Sequence, residues 1–266
     1  MNHPSLSELL ARDKFPKIDS EETYKALLER LQHKMLRIQQ GNYHSGGRAI
    51  IAIEGFDAAG KGGAIHRITE ILDPRGIRVV PIGPPLPEEQ GRHWLYRFWR
   101  ELPRPGMITV FDRTWYGRVL VERIDGLCSK KAWQRAYGEI NEYEAMLVND
   151  GIDVVKIFMA ISKREQLKRF EARLKDPYKH WKIGEADVRA RRKWNDYVAA
   201  TDELFRKTNT RLARWQLVAA EHKWYGRIEA LRIATDALRH HAHWMEKKAR
   251  VIEARELKKL LKMLKG

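Results

Sequence analysis

Gly55, Gly60, Lys61, Gly62 and Gly63 lie in the stretch AIIAIEGFDAAGKGGAI, Ala49 to Ile65, at a spacing suited to holding phosphate. The order Gly55-x-x-x-x-Gly60-Lys61 is the P-loop (Walker A) pattern. In it the backbone N–H groups of the loop, here including Ala58 and Ala59, wrap an anion while the lysine adds a point charge. Gly62 stands where a Ser or Thr would ligate Mg²⁺, so a metal carboxylate must come from elsewhere, and Asp57 inside the loop is the nearest candidate. A second stretch, ITVFDRTWYGRVLVERIDG, ends an apolar strand in Asp112. A carboxylate at the C-terminal end of a strand, beside bound phosphates, is Walker-B chemistry: it holds a divalent ion directly or through water. Arg113 and Arg118 are placed to offset charge on a transferring phosphoryl group. Glu122, one helical turn past Arg118, either faces the same site or forms a plain surface pair with that arginine. The third stretch, Lys163 to Lys193, carries 12 basic residues against 5 acidic ones. Arg173, Lys175, Lys179 and Lys182 flank the break at Asp176-Pro177, as in a lid that closes over phosphates.

The elements that must position these groups alternate between strand and helix. A helix capped by Asp19 or Ser20 runs to about Gln40 behind an extended arm. Apolar strands follow at Ala49–Ile53, Ile77–Ile82, Met107–Phe111, Ile152–Ile161 and Trp215–Ala220, with helices between them. That alternation predicts a five-stranded parallel sheet covered on both faces, a three-layer α/β/α architecture. Residues 1–47 read as the arm and first helix, and 48–235 as the catalytic domain, including a lid at about 163–193. Residues 236–266 read as a basic, amphipathic helical tail, with Val251, Leu257, Leu260, Leu261 and Leu264 suited to packing in a dimer or tetramer.

Composition narrows the partners. The formal charge of +16 over 266 residues implies a polyanionic ligand. No nucleic-acid-binding module is visible, which argues against RNA or DNA. No apolar run approaches the roughly 20 residues of a membrane span, and the N-terminus lacks a signal-peptide profile. Cys128 is the single cysteine, which suits a reducing, cytoplasmic setting. His240, His241 and His243 suggest a metal cluster, but no Cys or carboxylate stands at zinc-site spacing, so they read as exposed helical histidines. Trp94, Trp99, Trp133, Trp181 and Trp194 read as packing residues.

The stretches GFDAAGKGGAI, PPLPEEQGRHWLYRFWRELPRPGMITVFDRTWYGRVLVERIDG and QLKRFEARLKDPYKHWKI resemble the family-2 polyphosphate kinases across about Asp19 to Arg232. The resemblance implies a P-loop kinase fold like that of the thymidylate kinases. It implies phosphoryl transfer between inorganic polyphosphate and nucleotides, with Mg²⁺ as cofactor and Mn²⁺ as a substitute. It also implies functional positions at Asp57, Lys61, Asp112, Arg113, Glu122 and Arg173, with Asp57 and Asp112 as the metal carboxylates, and the family tolerates glycine after the P-loop lysine. The wording WYGRVLVER is closer to the branch that phosphorylates AMP to ADP than to the WYNR branch, which favours nucleoside diphosphates. Typical members of the AMP branch carry two fused copies of the domain, and this stretch holds one. An ATP-dependent nucleoside monophosphate kinase is the alternative that shares the same three features.

Overall fold

In a computed structural model of the chain, residues 3–249 and 254–265 are described. In chain order the helices and strands are α1 (Leu6–Leu10), α2 (Glu21–Ser45), β1 (Arg48–Gly55), α3 (Lys61–Thr69), β2 (Ile77–Pro81), α4 (Tyr96–Trp99), β3 (Ile108–Asp112), α5 (Val121–Ile124) and α6 (Lys130–Asn149). They continue with β4 (Ile152–Ala160), α7 (Lys163–Leu174), α8 (Glu185–Arg192), α9 (Trp194–Thr208), β5 (Trp215–Ala219), α10 (Lys223–Ala237), α11 (Arg239–Ala249) and α12 (Ala254–Leu264).

All five strands are parallel, in the order β2-β3-β1-β4-β5. Strand β1 is central, and Ala49 to Ile53 are wholly buried, as a strand covered on both faces requires. The connection leaving β1 runs outward to β2, while the one leaving β3 crosses to β4 on the other side. The carboxyl ends of the neighbours β1 and β3 therefore flank the topological switch point, where open α/β sheets bind ligands. Helices α2, α3 and α10 pack together as one layer, and α6 and α9 form the other.

Several local boundaries differ from the sequence reading for identifiable reasons. Gly41 and Asn42 lie inside α2, which ends only at Gly46, whose φ of 69° supplies a left-handed cap. The glycine at 41 is needed for packing: a Cβ there would lie 1.9 Å from the His241 carbonyl oxygen on the adjoining α11. The arm expected to be extended contains α1, whose Leu6 and Ser7 N–H groups are held by the Asp202 carboxylate on α9. The long helix expected from Glu185 to Lys207 breaks at Lys193 into α8 and α9. In α12, Leu257, Leu260, Leu261 and Leu264 are exposed, while Val251 lies outside the described residues.

One polar cluster interrupts the apolar core. The Lys156 ammonium on β4 is fully buried and donates to Glu144 Oε2 (2.8 Å), Tyr116 Oη (2.9 Å) and the Thr208 carbonyl (2.8 Å). Glu144 Oε1 also accepts from Trp115 Nε1 (3.0 Å) and Tyr116 Oη (2.6 Å). Burial pushes the Lys156 pKa down, and the Glu144 charge works against that push. The cluster ties α6, β4 and the end of α9 to the loop after β3, so it fixes where residues 113–118 leave the sheet.

Removing the cation should strand Glu144 as a buried charge. Lys156→Met is expected to cost about 3–5 kcal/mol by urea denaturation. Adding Glu144→Gln should recover part of that loss, because the amide oxygen still accepts from Trp115 and Tyr116 without carrying charge. A double variant less stable than Lys156→Met would refute this account of the cluster.

Candidate active site

The P-loop begins where β1 ends. Gly55 adopts φ 145°, and a Cβ there would lie 2.2 Å from the Met159 carbonyl on β4, so only glycine fits. Ala58 and Arg113 have positive φ, 62° and 65°, and are the non-glycine residues among those described that do. Such strain concentrates at functional sites, and here it lies on the two loops that leave β1 and β3. Gly60 caps α3 with φ 104° and offers no side-chain acceptor, whereas Ser20, Ser129 and Ser162 cap α2, α6 and α7 with hydroxyls. The first-turn N–H groups at Lys61, Gly62 and Gly63, at the positive end of the α3 dipole, are thus donors for an anion. A Cβ on Gly62 would meet nothing within 4 Å, so packing does not require glycine at that position.

The Lys61 ammonium folds over its own loop and donates to the carbonyls of Gly55 (2.7 Å) and Phe56 (3.1 Å). Asp112 ends β3 in register with Ile53, and the Arg113 N–H bonds the Ile53 carbonyl at 3.1 Å. Arg113 Nη2 then reaches Asp57 Oδ1 at 3.2 Å. Burial disfavours the Arg113 cation, but Asp57, Glu54 and Asp112 outweigh it and raise its pKa. The Asp112 carboxylate makes no hydrogen bond or ion pair among the described residues, and Asp57 engages one oxygen only in that pair. Two hard carboxylates with free oxygens beside a phosphate cradle fit Mg²⁺, which keeps several waters and takes one or two carboxylates plus phosphate oxygens.

The basic segment 163–193 places its cations unevenly. A cavity of about 230 Å³ opens from the loop, and Arg169, Arg173, Lys179, Lys182, Lys223 and Arg227 line it. No carboxylate and no aromatic ring contributes to that lining. Lys175 lies outside it, at the C-cap of α7. Arg173 Nη1 bonds the Lys182 carbonyl at 2.8 Å, and burial lowers its pKa against the pull of Asp187 and Asp57. Burial likewise raises the Asp187 pKa, and Asp57 adds to that rise. Trp181 is 79% exposed beside the Lys182 ammonium, contrary to its reading as a packing residue.

Arg118 and Glu122 stand apart from this cavity. They form a 2.7 Å ion pair, with the Arg118 guanidinium over the Trp94 ring. Burial raises the Glu122 pKa, and Arg118 and Arg97 partly offset it.

Four groups that the sequence reading missed contribute to the site. Glu54, buried in β1, accepts from Thr114 N (2.6 Å) and Thr114 Oγ1 (2.8 Å) and so holds the loop after Asp112; burial raises its pKa against the pull of Lys61. An acid inside the apolar run of β1 was the available signal. Arg169 donates to the carbonyls of Ala58 (3.0 Å), Ala59 (3.1 Å), Ala220 (2.8 Å) and Glu221 (2.8 Å), and to Glu165 Oε1 (2.7 Å). Lys223 and Arg227 occupy one face of the first turns of α10, four residues apart, after the last strand. A Cβ on Gly63 would lie 3.5 Å from Arg227 Nε, so the arginine overhangs the start of α3.

Known proteins resemble this chain in sequence and in fold. The model of the family "Polyphosphate kinase 2 (PPK2)" matches residues 18–247. The chain is 48% identical over 204 residues to a polyphosphate:AMP phosphotransferase of Pseudomonas aeruginosa, covering 77% of this chain and 40% of that one. It is 38% identical over 212 residues to a GDP-polyphosphate phosphotransferase of Mycobacterium tuberculosis, covering 80% and 72%. A crystal structure of a polyphosphate kinase 2 from Pseudomonas aeruginosa PA01 superposes with a TM-score of 0.82 at 43% identity, over 86% of this chain and 50% of that one. Another, from Arthrobacter aurescens TC1, gives 0.79 at 33% identity, over 90% of each chain. The chain thus spans about 40% of the length of the AMP phosphotransferases it matches.

Arg169→Lys should loosen the loop while keeping the charge. An ammonium has three donors and cannot span four carbonyls, so a stability loss of about 2–4 kcal/mol is expected. Urea denaturation measures it, and wild-type stability would show that Arg169 does not clamp the loop.

Proposed function

The chain belongs to the polyphosphate kinase 2 family, and on that premise we propose that it moves a phosphoryl group between inorganic polyphosphate and a nucleotide, with AMP the preferred acceptor. The observation that carries this reading is the cavity beyond the P-loop. It presents six cations, no carboxylate and no ring on which a base could stack. A bare linear polyanion suits that lining, whereas an ATP donor would bring an adenine to a wall of cations and small side chains. On this reading residues 48–235 form the catalytic unit and 163–193 its lid. The exposed leucines of α12 support self-association, and the lone thiol suits a cytoplasmic setting. Among the described residues no helix is long and apolar enough to cross a membrane.

In the forward direction an oxygen of the AMP phosphate attacks the terminal phosphorus of the chain. A new P–O bond forms as the bridging P–O bond breaks, and the shortened polyphosphate leaves with its oxygen. The attacking oxygen is already anionic at neutral pH, so no general base is required. Asp57 and Asp112 would hold the divalent ion, which when bound neutralises phosphate charge. The first-turn N–H groups of α3 and Lys61 hold the transferring and neighbouring phosphates. Arg113 and Arg173 counter charge in the transition state, where positioning and electrostatics supply most of the catalysis. Arg118 and Glu122, beside the loop that follows Asp112, stand on the acceptor side. The lid cations Lys179 and Lys182, with Lys175 at their edge, keep the polymer in line.

Gly117 supports AMP over ADP. A Cβ there would first meet Val121 Cγ1 at 3.7 Å, so a side chain fits and glycine leaves the surface open by choice. An open surface lets a monophosphate settle closer to the P-loop than a diphosphate needs to.

Initial rates with polyphosphate should be higher with AMP than with ADP, and ATP should not replace polyphosphate as donor. Gly117→Asn should fold and lower the AMP-to-ADP rate ratio. Asp112→Asn should keep the fold and lose roughly 10³-fold or more in turnover, about 4 kcal/mol. An ADP rate tenfold above that of AMP would overturn the acceptor, and efficient transfer from ATP would overturn the donor.

A further inference from the structure

The histidines of α11 find a carboxylate that their sequence neighbourhood lacks. His240 Nε2 lies 3.1 Å and His241 Nε2 2.8 Å from the same oxygen, Oδ2 of Asp153 on β4. Their ligand atoms all fall within 4.8 Å of one another. His241 is buried, not exposed as the sequence alone suggested; His240 is exposed and Asp153 half-buried. We propose that Asp153, His240 and His241 form a binding site for a zinc-class transition-metal dication, at the end of the sheet opposite the P-loop.

Three observations carry the assignment. Two imidazole nitrogens and one carboxylate oxygen are a borderline donor set, suited to zinc, cobalt or nickel and unlike the all-oxygen pair Asp57 and Asp112. In a tetrahedral site with ligands at about 2.0–2.1 Å, donor atoms stand about 3.3 Å apart, close to both histidine–aspartate separations. The surroundings also contain an unsettled polar group. Asn42 on α2 is fully buried, and neither its Oδ1 nor its Nδ2 has a hydrogen-bond partner. Its Oδ1 and His241 Nδ1 both crowd the point where a Cβ on Gly47 would sit, at 2.6 and 3.0 Å. A metal on His241 Nε2 fixes the proton on Nδ1, and metal-bound histidines usually donate that proton to a nearby oxygen. Asn42 is the group placed to accept it.

The site joins three elements that are distant in sequence. Asp153 lies at the start of β4, the histidines begin α11, and Asn42 lies in α2, against which α11 packs. A bound ion would fasten α11 across α2 to the sheet, with water completing the coordination on the exposed side of His240.

The test uses the full chain, stripped with a chelator and titrated with Zn²⁺ against a chromophoric competitor. One zinc per chain is expected, and it should persist in Asp112→Asn, which separates this site from the phosphate site. Co²⁺ in its place should give the intense visible bands of a tetrahedral ion, and Zn²⁺ should raise Tm. His240→Ala removes an exposed side chain, so it should fold, as circular dichroism can check, yet bind zinc at least about 100-fold more weakly. Asn42→Ala should weaken binding about tenfold, as for other groups that orient metal-bound histidines. Zinc uptake by His240→Ala equal to that of the wild type would overturn the proposal, as would no uptake beyond what Asp112→Asn abolishes. Either result would leave two imidazoles that merely hydrogen-bond an aspartate.

Discussion

Arg169 is the hinge-pin of the phosphate end. One guanidinium binds two carbonyls of the P-loop, two carbonyls of the turn after β5, and a carboxylate one helical turn back on its own helix. Arginine alone has the rigid planar fork to reach so many acceptors at once. The consequence is electrostatic as well as structural. Arg173, Lys179, Lys182, Lys223 and Arg227 repel one another around a small cavity, and the loop they face carries positive φ at Ala58. Four directed hydrogen bonds hold α7 against the P-loop and against the turn leading into α10 in spite of that repulsion, and the fifth, to Glu165, fixes the guanidinium on its own helix. Neighbouring cations and burial both lower the Lys223 pKa, with burial the larger effect. A phosphate chain entering the cavity would relieve the repulsion, so the same crowding that disfavours the empty arrangement favours the ligand.

The other side of the site is held from within. Lys156, Glu144 and Tyr116 anchor the start of the 113–118 loop in the core, and Glu54 fixes Thr114 one residue beyond the strained Arg113. Both loops of the switch point are therefore tied to β1 and β4, two interior strands of the sheet. Catalysis by positioning requires that kind of support, since a misplacement of about 1 Å can cost two orders of magnitude in rate. Segment 163–193 is tied to the body at a few points. Besides Arg169, these include Gln166 Nε2 on the Asp57 carbonyl (3.2 Å) and Lys193 Nζ on the Ile124 carbonyl (2.9 Å) and Asp125 Oδ1 (2.8 Å), while Arg191 to the Lys163 carbonyl and Arg173 to the Lys182 carbonyl lie within the segment itself.

Much of this was legible in the sequence, because the signals were local. The P-loop is a contiguous pattern, and Asp112 ends a run that can only be a buried strand. Four of the five strands fell within a residue of their expected bounds for the same reason, and β1 runs two residues past its expected end at Ile53. What was not legible depends on contacts between distant residues. Arg169 looked like one of 12 cations in a charged segment, and nothing local distinguishes it from Lys168 beside it. Gly41 read as a helix stop because its role, admitting the backbone of α11, lies 200 residues away. Asp153 supplied the carboxylate missing beside His240 and His241 from 87 residues upstream, a distance at which spacing rules say nothing. Lys223 and Arg227 were within reach, since a basic i, i+4 pair opening the helix after the last strand faces the same sheet edge as the P-loop.

The central claim is that the cationic cavity grips a polymer rather than a single nucleotide. It is tested most directly by the apparent KM for long and short polyphosphate in Lys179→Gln/Lys182→Gln/Lys223→Gln. Exposed ionic contacts contribute roughly 0.5 kcal/mol each, so the triple change should raise the long-chain KM about tenfold. Short chains, which reach fewer of these charges, should be affected much less, and added salt should shrink the difference. An equal rise for both lengths would show that these side chains do not track the chain.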